Sequence, residues 1–80
     1  MNNLEKYNEI FIETFGVDEE SLNSDFISGQ VDSWDSIGHM NLLAAIEEEF
    51  DITLADEDLM EFQSYDAGKE ILKKYNINFE

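Results

Sequence analysis

The chain has no cysteine, no proline and no arginine, and only one histidine and four lysines among 80 residues. Without cysteine there is no disulfide framework and no thiolate metal site. A single histidine leaves a zinc site short of imidazole ligands. The four lysines face 20 Asp and Glu, a net charge of −16. That balance excludes nucleic acid as a partner, because phosphate binding needs clustered Lys and Arg, and it excludes an anionic membrane surface on the same ground. No apolar run approaches the roughly 18 residues of a membrane span. Met1-Asn2-Asn3-Leu4-Glu5 lacks the basic and apolar regions of a secretory signal. A monomer in the cytoplasm, with no membrane insertion, is the expectation. Internal repeats and low-complexity segments are missing as well.

What is present describes a folded domain. Hydrophobic residues make up 42% of the chain, which argues against disorder in spite of the charge. Eighty residues give a single domain over 1–80, and such a domain buries only about 60% of the surface its unfolded chain exposes, so its stability is modest. The acidity points to basic protein surfaces as partners, met by steered and salt-sensitive association.

Asn2 caps a first helix, with Glu5 three residues on. Leu4, Tyr7, Phe11 and Thr14/Phe15 form its apolar stripe, widened by Ile10, and Gly16 ends it. Residues 17–35 form a long connection in which Val17, Leu22, Phe26, Ile27, Val31 and Trp34 are apolar anchors, with a short turn at 18–22 and flexible points at Gly29 and Gly38. Trp34 reads as core. Apolar residues at 37, 40, 43, 46 and 50 then mark a second helix, for which Met40, Leu43, Ile46 and Phe50 are expected to face inward. A connector over 51–55 leads to a short helix through Glu61 that holds Leu59, Met60 and Phe62 near the core. Ser64 caps a last helix with the stripe Tyr65, Gly68, Leu72 and Tyr75, and Ile71 beside it. Residues 76–80 fray unless Ile77 and Phe79 dock. The fold class is all-α: a small four-helix bundle with a short third helix and a long connection between helices one and two.

The chemistry concentrates at Trp34-Asp35-Ser36-Ile37-Gly38-His39-Met40. Asp35 is an N-cap whose charge suits the positive end of the helix, and Ser36, at the first helical position, presents its hydroxyl outward on a rigid base. Asp35, Ser36 and His39 are the residue types of a hydrolytic triad. However, Asp35 is committed to the cap, and no G-x-S-x-G turn or glycine-rich oxyanion loop accompanies them, so the chain is not read as an enzyme. His39 instead packs or hydrogen-bonds locally, close to Ser36. Calcium binding by an EF-hand fails too, since no acidic start brings the required offsets, glycine and terminal glutamate together. Glu47-Glu48-Glu49 at a helix C-terminus oppose the dipole, and such a locally unfavourable choice suggests a use elsewhere.

Asp35-Ser36-Ile37 resembles the Asp-Ser-Leu motif of acyl carrier proteins. Ala45-Ile46-Glu47-Glu48-Glu49-Phe50 is similar to the Ala-Leu-Glu-Glu-Glu-Phe run that ends the family's second helix, and Asp56-Glu57-Asp58 followed by Phe62 is similar to its acidic third helix. The resemblance covers nearly the whole chain. It implies a 4′-phosphopantetheine arm moved from coenzyme A onto Ser36, next to the capping Asp35, and acyl or aminoacyl cargo held on that arm as a thioester. It implies as partners a phosphopantetheinyl transferase and acyl-loading or acyl-transfer enzymes with basic surfaces, in fatty-acid-like or specialised metabolism. Ile37 would be an exposed contact for the modifying enzyme, although periodicity alone assigns it to the core. Glu47, Glu48, Asp56 and Glu57 would form the face that docks on basic patches. The lack of cysteine fits, since no protein thiol competes for the cargo. Where the family often carries acids, just after the motif and early in helix two, this chain has Gly38 and Asn41, a pattern closer to stand-alone carriers of specialised pathways. The alternative reading is an unmodified acidic adaptor in which Ser36 is only a helix-start serine.

Overall fold

The computed structural model describes residues 2–79. Four helices form in order: α1 (Asn3–Phe15), α2 (Ser36–Phe50), α3 (Asp56–Glu61) and α4 (Tyr65–Lys73). No strand runs through the described residues. Caps explain the boundaries. Asn2 Oδ1 accepts from the Glu5 amide at 2.8 Å, and Gly16 ends α1 in the left-handed region (φ 65°), its N–H returning to Ile12, a backbone state that glycine adopts freely and most other residues, Asn and Asp apart, adopt at a cost. Asp35 opens α2, and Ser64 opens α4 by accepting from the Ala67 amide at 2.9 Å.

The core is built around Phe11. Its ring meets Tyr7, Phe15, Phe26, Trp34, Phe62 and Tyr65 at centroid distances of 4.8–6.4 Å, within the range of favourable aromatic pairs. Two of these partners, Phe26 and Trp34, come from the long connection, so the connection is held down by burial as the sequence suggests. It carries two single 3₁₀ turns, Glu19–Ser21 and Ser28–Gln30. Between them the backbone pairs with the α3–α4 junction: Ser28 N–H donates to Gln63 O and Tyr65 N–H to Phe26 O, both at 2.9 Å.

Two apolar expectations are corrected. Met40 is 69% exposed and Met60 is 75% exposed, while Leu42 is fully buried. Helix α2 carries apolar side chains on most of its circumference, and the face that packs runs through Gly38, Leu42, Leu43 and Ile46. At α3 the inward side is taken by Asp58 and, just past the helix end, Phe62, with Leu59 half-buried, which turns Met60 out. At the other end Ile77 is buried and Phe79 packs on the core, its ring 5.1 Å from that of Tyr7. The tail therefore docks through Phe79, and Glu80 lies outside the described residues. No helix among the described residues is long and apolar enough to cross a membrane.

Candidate functional site

The start of α2 is fixed from three sides. Trp34 is 6% exposed and stacks on Phe15 at 5.0 Å with a 26° interplanar angle. Ser33 Oγ donates to the carbonyl of Phe15 at 3.2 Å, which ties the connection to the end of α1. Asp35, in extended conformation, accepts the Gly38 amide on Oδ1 at 2.7 Å. Gly38 is not a flexible point. It is helical and buried, and a Cβ there would lie 2.3 Å from the Ser33 carbonyl oxygen. With the connection this close, no side chain fits at position 38 unless the backbone at Ser33 shifts.

Ser36 follows, exposed, with no hydrogen-bond partner for its hydroxyl among the described residues. Ile37 is 72% exposed beside it, which removes the core assignment that periodicity alone supports. The triad types are present, but they are not aimed at Ser36. Asp35 serves the cap, and both ring nitrogens of His39 are engaged elsewhere, with Trp34 Nε1 and the Leu59 carbonyl, each at 2.9 Å. An open depression of about 360 Å³ beside the hydroxyl is lined by Ser28, Gly29, Trp34, Asp35, Ser36, His39 and Gln63. A second, apolar one of about 440 Å³ lies between α2 and α3, lined by Met40, Leu43, Leu59 and Met60, and it shares His39 and Gln63 with the first. A larger cleft of about 460 Å³ between α1 and α2 is lined by Glu13, Glu48 and Glu49 and lies apart from the serine.

The acidic residues expected to form one face have different settings. Glu48 is exposed on the α1 side of α2, and Asp56 and Glu57 are exposed in the first turn of α3. Glu47 is half-buried and has an internal role: its Oε2 accepts the Leu54 amide at 2.7 Å, and its carbonyl accepts from Ile52 at 3.1 Å and from Asp51, the left-handed cap of α2. An acid that opposes the helix dipole is thereby used to fasten the connector to α3.

Sequence reasoning missed Asp58. It is 3% exposed, and its carboxylate takes Lys74 Nζ on one oxygen and the Tyr75 hydroxyl on the other, each at 2.5 Å. These hydrogen bonds, Lys74 first, hold the Asp58 carboxyl below the ordinary range and raise Lys74 and Tyr75 in return. Tyr75 also accepts the Ala55 amide at 3.0 Å. Nothing local marks Asp58 among 20 acids; the only signal was a Lys-Tyr pair beyond α4. The local hydrogen bond expected of His39 is the one from Trp34, whereas its bond to Leu59 and that between Ser28 and Gln63 were missed because those partners lie far along the chain.

A family profile described as "Phosphopantetheine attachment site" matches residues 8–67, a span that includes Ser36. The acyl carrier protein of Petrotoga mobilis is 33% identical over 78 residues, which cover 95% of this chain and 91% of the relative. The acyl carrier protein of Solidesulfovibrio magneticus is 31% identical over 74 residues, covering 92% and 95%.

Proposed function

The chain belongs to the acyl carrier protein family, whose members bear a covalent 4′-phosphopantetheine arm, and from that premise we propose that Ser36 is the residue that takes the arm. The observation that carries this is the presentation of its hydroxyl: exposed at the first position of α2, unbonded among the described residues, and held on a cap and an indole that are themselves fixed. The open depression beside it leaves room for a chain of atoms bonded to Oγ. When bound, the arm supplies a terminal thiol that holds acyl cargo as a thioester. The protein's own residues do the rest. Asp35 fixes the first turn, Trp34 anchors the approach, and Ile37 offers an apolar contact in solvent. Neither Asp35 nor His39 is directed at Ser36 Oγ, so neither is placed to take the serine proton.

The finer reading is a stand-alone carrier that serves acyl-loading and acyl-transfer enzymes with basic surfaces. Gly38 and Asn41, where the family often carries acids, support a place outside the commonest fatty-acid pattern, and the packing of Ser33 on α2 leaves no room for a side chain at position 38. Incubation of the protein with coenzyme A and a broad-specificity transferase tests the attachment. Wild type gains the mass of one arm, and Ser36→Ala gains none. A wild type that keeps its sequence mass would leave an unmodified acidic adaptor as the reading, and equal labelling of both proteins would move the site off Ser36.

A further inference from the structure

His39 joins three elements that meet beside Ser36. The indole Nε1–H of Trp34 donates to His39 Nδ1 at 2.9 Å. An indole nitrogen only donates, so Nδ1 carries a lone pair and the proton of the neutral ring sits on Nε2. From there it donates to the carbonyl of Leu59, 2.9 Å away. The ring also lies over Trp34, 6.2 Å between centroids at 24°. One imidazole on the first turn of α2 therefore reaches from the connection to α3.

Helix α3 depends on such braces. Its six residues make fewer than two turns, far below the length at which a helix is stable by itself. Its last carbonyls have no partners within the helix, and Ala55 gives no side-chain cap at its start. Two of those carbonyls are met by side chains from outside: Leu59 O by His39, and Met60 O by Gln63 Nε2 at 2.7 Å. Gln63 is itself held by Ser28 Oγ at 2.8 Å.

We propose that His39 is a positioning residue: by capping Leu59 it fixes α3, with Asp56 and Glu57, relative to Ser36, so that a modifying enzyme meets the hydroxyl and the acidic helix in one arrangement. The functional half of this inference rests on the carrier reading of Ser36; the brace itself rests on the hydrogen bonds. The position requires one acceptor and one donor on opposite sides of a side chain. Leucine offers neither, and glutamine offers both.

Three measurements test it. Nitrogen-15 NMR of the wild-type ring reads the tautomer directly, and a neutral ring with its proton on Nδ1 overturns the brace without any mutation. In His39→Leu, amide exchange over Leu59–Phe62 accelerates about five- to tenfold, the change expected from losing one ordinary hydrogen bond. Its KM with the transferase rises about fivefold while kcat stays within about twofold, the signature of weakened docking. His39→Gln restores both. Wild-type exchange and KM in His39→Leu, or a His39→Gln variant that folds but remains as impaired as His39→Leu, would refute the proposal. If the transferase does not modify wild type at all, the carrier reading fails, while the tautomer and exchange results still decide the brace.

Discussion

At the scale of single residues, Ile37 shows how exposure changes the meaning of an apolar side chain. A large aliphatic group in water beside a presented serine contributes little to folding, and its use lies in what it touches. Ile37→Ala is therefore expected to change stability by less than about 1 kcal/mol, where a core truncation costs about 2–5 kcal/mol. Arm transfer should nevertheless slow. Thermal melts and a coenzyme A-dependent mass assay run on the same preparations check both halves, and a large loss of stability with unchanged transfer would return Ile37 to the core. Gly38, its neighbour, shows the opposite case. It was legible only as a possible point of flexibility, because the sequence does not reveal that the Ser33 carbonyl comes within 2.3 Å of where its Cβ would be.

At the scale of elements, α1 was readable because its signals are local: Asn2 and Gly16 sit at its ends, and one stripe runs between them. The start of α2 was readable for the same reason, with Asp35 at the cap. The packing faces of α2 and α3 were readable in part: Leu43, Ile46 and Phe62 are buried as expected, but apolar residues nearly surround α2, and Asp58 of α3 is held inward by Lys74 and Tyr75 from a distant stretch, so Met40 and Met60 face out. The Asp58 cluster makes α3 sensitive to acid. A carboxyl held below its ordinary value contributes stability that is complete above the unfolded-state value of about 3.9 and is lost as pH falls through the lower folded value. Lys74 and Tyr75 place Asp58 in that class. Below about pH 4, amide protection in α3 should fall before that of α1, and Asp58→Asn should show weakened protection of α3 already at neutral pH, with no further step in acid. Residue-resolved hydrogen exchange separates this local loss from the general relief of repulsion among the other acids. Equal behaviour of wild type and Asp58→Asn would mean that the cluster does not hold α3.

At the scale of the whole molecule the dominant quantity is charge. A net −16 is carried on a body of 29 × 27 × 20 Å, where the screening length at physiological salt is about 8 Å, so most acids lie within a few screening lengths of one another. Three of the four lysines are engaged internally: Lys73 with Glu70, Lys74 with Asp58, and Lys69 over the Tyr65 ring. The field this leaves acts on folding and on association alike, and the two effects can be separated by where charge is reversed. Asp56 and Glu57 open α3 near the connector that Glu47 fastens, whereas Glu9 and Glu13 stand exposed on α1. Reversing either pair to lysine changes the net charge by the same amount and relieves general repulsion, so the thermal midpoint at low salt should rise for the α1 pair, while in the α3 pair the relief is offset by the loss of two acids from the positive end of that helix. Glu47 is left in place, because losing its bond to Leu54 would disturb the connector itself. Exposed ion pairs contribute only about 0–1 kcal/mol each, so no single residue should dominate; acting together they steer encounter, and salt weakens the effect. If α3 is part of the docking face, Asp56→Lys with Glu57→Lys slows arm transfer severalfold at low salt and flattens its salt dependence, while Glu9→Lys with Glu13→Lys changes it much less. Equal slowing by both pairs would show that enzymes respond to the total charge, and transfer at the wild-type rate in the α3 reversal would show that its acids are only solvated.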